Sequence, residues 1–166
     1  MYNPRAHLSV NSNELFGGEA PKEVRVLIDA AKSAPHEEQS ERLWAIQRHA
    51  PSCLPVYYLL YKLHAGRREL ARAERAALLG LVQAGLQSDL PGDVELILTT
   101  PLPSVDFMTT GPARFWLFTL KALAFIRMRS GRIQQARQLL DFIARCDPKH
   151  SVGSDVILAL LRATAD

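Results

Sequence analysis

The chain has 166 residues, a length suited to one domain, with 20 Lys and Arg against 17 Asp and Glu for a net charge of +3. Hydrophobic residues make up 48% and charged residues 22%, which excludes wholesale disorder and supplies a sizeable core. Two cysteines, Cys53 and Cys146, stand far apart without a CxxC, excluding a disulfide framework or a structural zinc site and pointing to a reducing compartment.

Residues 1–18 read as a polar tail rich in Asn, Ser and Gly, with Leu8, Val10, Leu15 and Phe16 as isolated apolar anchors. From Glu19 the pattern turns helical: Val24, Leu27, Ile28 and Ala31 recur at i, i+3, i+4 and i+7, and Pro35 closes the segment. A second helix starts at Glu37 and Glu38, whose charges suit a helix N-terminus, and stops before Pro51. Pro55 opens a third, ending at Gly66. A fourth runs from about Arg68 to Leu86, with Leu70, Ala73, Ala77, Leu81 and Ala84 on one stripe. Leu90-Pro-Gly-Asp93 is a turn by composition, and Val94–Leu98 a short helix or irregular run. Thr99 to Pro112, with three prolines and Gly111, reads as the longest ordered loop. Three helices follow, over 113–130, 132–146 and 152–164. No stretch alternates with strand periodicity for more than four residues, so the expected class is all-α, with about seven helices in a single domain over 19–166.

Two helix pairs share a spacing. In the later one, Leu123-Ala124 precedes Gly131, with Ala136 five residues on and Pro148 seventeen on. In the earlier one, Tyr58-Leu59 precedes Gly66, and Ala71 lies five residues on; a third copy sets Val26-Leu27 before Ala34 and Pro51. Gly permits the turn, Ala sits where two helices cross, and Pro ends the second helix. This pattern resembles the tetratricopeptide repeat, which implies antiparallel helix hairpins stacked into a superhelix, with degenerate repeats at 20–51, 52–85 and 117–150. Gln39 stands in place of the crossing Ala, no Pro ends the second pair at Gln83, and an insert over 87–112 interrupts the array. The segments Tyr57-Tyr-Leu-Leu-Tyr-Lys62, Leu90-Pro-Gly-Asp93, Phe115 to Ala124, Met128-Arg-Ser-Gly131, Asp147-Pro148 and Val152-Gly153 are also similar to those of small tetratricopeptide proteins encoded among bacterial nitrogen-fixation genes. That resemblance implies an accessory role toward a metalloenzyme system through protein contacts, with no activity to carry over to any residue.

Chemistry-bearing motifs are few. His36-Glu37-Glu38-Gln39-Ser40 begins like HExxH, but Ser40 takes the second His position, leaving a zinc ion without that ligand. His49, Cys53 and His64 flank a short linker, and a thiolate–imidazole pair there would be a nucleophile, but no orienting group accompanies it. Cys146 ends a helix, where the dipole disfavours a thiolate. No Gly-rich phosphate loop occurs. The sequence therefore names no catalytic residue, metal ligand or cofactor site. Arg67, Arg68, Arg72 and Arg75, and again Arg127, Arg129, Arg132 and Arg137, suit RNA, an acidic partner or simply a solvated helix face. The lack of interleaved aromatics argues against nucleic acid.

The tetratricopeptide resemblance implies a concave groove lined by the first helix of each pair. Counting back from Gly131 gives Phe118, Lys121, Phe125, Met128 and Arg129; counting back from Gly66 gives Cys53, Val56, Leu60, Leu63 and His64. Only Lys121 fits the carboxylate clamp of chaperone-binding members, because Leu60 and Phe125 occupy the Asn positions. The expected ligand is an apolar or amphipathic segment of another protein, with residues 8–16 or the insert as the competing occupant from the same chain. The nearly all-apolar helix 152–164 is either tucked between repeats or a homodimer contact. Lys62, Lys121, Arg127 and Arg129 break the apolar runs before membrane-spanning length, and the start of the chain lacks the apolar stretch of a signal peptide, so a cytoplasmic location is expected. The reading is a non-catalytic protein-interaction module. A chaperone for a secreted or metalloenzyme client, an RNA-binding helical repeat and an enzyme using Cys53 with His64 are its rivals.

Overall fold

The computed structural model describes residues 20–164, which form eight helices and no strand. They are α1 (Lys22–Ser33), α2 (His36–His49), α3 (Leu54–Gly66), α4 (Leu70–Ser88), α5 (Val94–Thr99), α6 (Gly111–Arg129), α7 (Ile133–Cys146) and α8 (Ser154–Ala163). The all-α class is as the periodicity predicts. The count exceeds seven because the Val94 run is a true helical turn, capped by the Asp93 carboxylate accepting from the Leu96 N–H at 3.0 Å. The tail with its anchors Leu8 to Phe16 lies outside the described residues.

Helices pack largely in chain order, α1 on α2, α2 on α3 and α3 on α4, then α4 on α6, α6 on α7 and α7 on α8. Helices α3 and α8 also flank α6, which is the spine of the molecule. The core follows from the apolar stripes: Tyr57, Leu60, Phe115, Trp116, Leu120, Leu139 and Phe142 are buried, each side chain contributing about 1.5–3 kcal/mol of hydrophobic stabilisation. Gly80 on α4 lets α3 approach closely, since a Cβ there would stand 2.8 Å from the Tyr57 Cβ.

The segment between α4 and α6 is anchored at Trp116. Its indole N–H donates to the Pro91 carbonyl at 2.7 Å, and its ring stacks on Phe107 with centroids 5.8 Å apart. The loop over 100–110 thus drives one buried aromatic into the core, and α5 touches α7.

Two hairpin turns repeat the same backbone. Arg67 (φ −86°, ψ 0°) and Ser130 (φ −84°, ψ 3°) end α3 and α6, while Glu69 (φ −85°, ψ 65°) and Arg132 (φ −88°, ψ 66°) precede α4 and α7. Between them Arg68 at φ 61° matches Gly131 at φ 80°. The Glu69 N–H donates to the His64 carbonyl and the Arg132 N–H to the Arg127 carbonyl, both at 2.9 Å. The structural partner of Gly131 is therefore Arg68, and the alignment of Gly66 with Gly131 is corrected by two positions. Gly66 remains within α3. The crossing alanine shifts likewise: Ala71 is exposed, whereas Ala73 is fully buried like Ala136. The ends of α2 and α7 match too, at Ala50 (φ −131°, ψ 68°) and Asp147 (φ −134°, ψ 71°).

Candidate functional site

The two-position shift decides which side chains of α3 face the same way as those of α6. Val56, Leu60 and His64, expected in a groove, are wholly buried and belong to the core; Cys53 is buried as well, and Leu63 is half-buried. On α6, Phe118, Lys121 and Phe125 are half-buried, Met128 is buried and Arg129 is exposed at the helix end. With the corrected register the α3 counterparts of Lys121 and Phe125 are Tyr58 and Lys62, both half-buried. Sequence reasoning missed these two because a glycine was taken to mark the turn, whereas an arginine occupies the left-handed position.

Tyr58 and Lys62, one turn apart on α3, meet Phe118 and Lys121, one turn apart on α6. The Tyr58 and Phe118 rings lie 5.9 Å apart. The Lys62 ammonium donates to the Tyr58 hydroxyl at 3.0 Å, and the Lys121 Nζ sits 4.1 Å from the Phe118 centroid, a cation–π contact. The start of α8 closes over Lys121, whose Nζ is 3.9 Å from the position a Cβ would take on Gly153. Burial pushes the Lys121 amine down to about 8; Asp155 opposes this and Lys62 adds to it. This face combines aromatic surface with two amines and has a chemistry suited to an amphipathic ligand bearing an anionic group. Along α8, Ile157 and Leu161 turn inward, while Val156 and Leu160 remain exposed.

His64 lies at the opposite end of α3 from Cys53, about 16 Å along the helix, so the imagined thiolate–imidazole pair does not form. Burial pushes the Cys53 thiol up, and burial likewise drives Cys146 up to about 11. His64 instead joins three segments. Trp44 of α2 donates its indole N–H to Nε2 at 3.2 Å, so that nitrogen is the acceptor and Nδ1 carries the proton, donated to Glu69 at 2.6 Å. Ser40 of α2 also lies 3.2 Å from Nε2. Ser40, His64 and Glu69 share the connectivity of a nucleophilic triad, but the lone pair a base would use is already engaged by Trp44. Ser40, the residue that breaks the HExxH pattern, thus acts in the joint between α2 and α3.

The next joint repeats that arrangement with charges. Arg127, the counterpart of His64, donates to Glu74 of α4 at 3.2 Å, and Arg132, the counterpart of Glu69, donates to both oxygens of the same carboxylate. Burial pushes the Glu74 carboxyl up, but the bonds from Arg132 and Arg127 outweigh it and leave the group below the usual carboxylate range. Among the described residues no three His, Cys, Asp or Glu side chains converge as a metal site, and no helix is long and apolar enough to cross a membrane. Comparison with protein-family models, curated proteins and solved structures returns no significant match.

Proposed function

We propose that the chain is a non-catalytic protein-binding module, built as a tetratricopeptide-like array of three helical hairpins closed by α8. Support for the array comes from the recurring turn at Arg68 and Gly131 and from the buried crossing alanines Ala73 and Ala136. The face made by Tyr58, Lys62, Phe118, Lys121 and Phe125 receives an amphipathic segment of another protein, its apolar side on the rings and an acidic group toward the amines. The carrying observation is the Tyr58–Phe118 contact flanked by Lys62 and Lys121 across two helices. Catalysis by Ser40 or Cys53 is disfavoured by the engaged lone pair of His64 and by the raised thiol of Cys53. An accessory role toward a nitrogen-fixation metalloenzyme rests on the sequence resemblance. The competing occupant from the same chain, residues 8–16, lies outside the described residues.

The test is an affinity capture from native lysate with wild type beside a Phe118→Ala/Phe125→Ala variant whose helicity is checked by circular dichroism. A protein bound by wild type and lost by the folded variant supports the reading. Identical recoveries from both overturn it.

A further inference from the structure

Residues 66–75 and 127–132 together hold seven arginines and two glutamates, so the positive excess of a chain of net charge +3 is gathered there and the remainder is net acidic. The two stretches adjoin in space, because Glu74 bridges Arg127 and Arg132. Arg67 in turn donates to the His36 carbonyl at the start of α2, so the three hairpin turns follow one another along one edge. Part of this charge is consumed internally. Glu74 takes up Arg127 and Arg132, and Arg75 covers the Trp44 ring at 5.1 Å. Arg72 lies 3.6 Å from Glu69, which His64 also holds, and its side chain is 67% exposed. Arg68 and Arg129 are exposed and form no ion pair among the described residues.

Arg68 adds a second observation. It occupies the left-handed region at φ 61°, where its counterpart is Gly131 and where an L side chain is strained. Its charged side chain is held there at a conformational cost without an ion pair or side-chain hydrogen bond among the described residues, a pattern associated with function. We infer that this edge is a docking surface for an acidic polypeptide segment, its carboxylates held by Arg68, Arg72 and Arg129. Guanidinium forks match carboxylates two oxygens at a time. Neither stretch contains an aromatic residue, and Trp44, the ring at this edge, is covered by Arg75, so a nucleic-acid base finds no stacking platform. Arg129 lies one turn from Phe125 on α6, so the edge adjoins the aromatic face of α3 and α6, but the inference stands on Arg68, Arg72 and Arg129 whether or not that face binds a ligand.

The test uses the full chain and a fluorescein-labelled oligo-glutamate peptide, with oligo-uridylate RNA as the second probe, followed by anisotropy at low and at physiological salt. The expected result is peptide binding that weakens with salt, falls about tenfold or more in Arg68→Glu/Arg129→Glu, and is unchanged in Leu86→Ala, a variant of an exposed residue near the far end of α4. Arg68→Gly separates recognition from structure: peptide affinity falls while the melting temperature rises. Absent peptide binding at low salt, equal affinities in wild type and the charge-reversal variant, or a preference for the RNA probe would each overturn the inference.

Discussion

His64 and Arg127 stand at the same point of two successive hairpins and join the same three places of the fold. His64 meets Ser40 of the preceding hairpin and Glu69, which opens the next helix; Arg127 meets Glu74 of the preceding hairpin, and that carboxylate also holds Arg132, which opens the next helix. One joint is an imidazole held by an indole, a hydroxyl and a carboxylate, and the other a carboxylate between two guanidiniums. The position is thus defined by hydrogen-bonding geometry, and its chemistry differs from one hairpin to the next.

Glu74→Gln removes the charge that two arginines share at a mostly buried site. At neutral pH it is expected to lower stability by about 1–3 kcal/mol in urea unfolding. Because the folded-state carboxyl lies below its ordinary value, its contribution is fully present above about pH 4.3 and is lost as pH falls through the folded value. The variant should therefore show a shallower loss of stability between neutral and acidic pH than wild type.

His64→Ala leaves the Trp44 indole N–H and the Ser40 hydroxyl without their shared acceptor and opens a cavity in the core. A loss of about 2–4 kcal/mol is expected. Native-state hydrogen exchange should accelerate most in α1 and α2, which this joint ties to α3. Uniform acceleration across all helices would contradict the joint.

Lys121→Met should stabilise the protein by about 1–2 kcal/mol at neutral pH, because burial penalises the charged amine. The folded-state value of about 8 lies below the unfolded one, so above it the unfolded chain binds more protons and wild-type stability rises with pH. The advantage of the variant is therefore expected to shrink as pH rises from about 8 towards 10.4, which paired thermal melts would measure.

Arg68→Gly and Gly131→Ala should shift stability in opposite directions, each by about 1 kcal/mol, since the first relieves and the second imposes a left-handed side-chain conformation. Matching signs in chemical denaturation would show that the two turns are not equivalent.

Gly80→Ala places a methyl group 2.8 Å from the Tyr57 Cβ and 3.4 Å from the Phe115 ring, where α4 meets α3 and α6. A loss of about 1–3 kcal/mol is expected, with circular dichroism retaining the helical signal.

The helical class, most element positions and the stripe Leu70, Ala73, Ala77, Leu81 and Ala84, buried but for the half-buried Leu70, were legible in the sequence. Helical periodicity is a local signal that burial of one face enforces. The candidate face was legible only in half. Phe118, Lys121 and Phe125, counted back from a glycine that does occupy its turn, are half-buried, although Met128 from the same count is buried; Val56, Leu60 and His64 come from a hairpin whose turn residue is Arg68, so counting from Gly66 turned the helix toward its core. Glycine permits a left-handed turn but does not require one. The turn falls where the Glu69 N–H reaches the His64 carbonyl and the two side chains pair, a partnership that sequence spacing did not announce.

By itself, then, the sequence determined that this chain folds as helices with apolar, alanine-bearing stripes, because propensity and periodicity act over a few turns. Only the tertiary structure decided the register of α3 against α6, and with it that Tyr58 and Lys62 stand beside Phe118 and Lys121. It also decided that the arginines of two distant turns share one edge. Both depend on where packed helices end and which buried polar groups find partners, and those contacts join residues far apart in the chain.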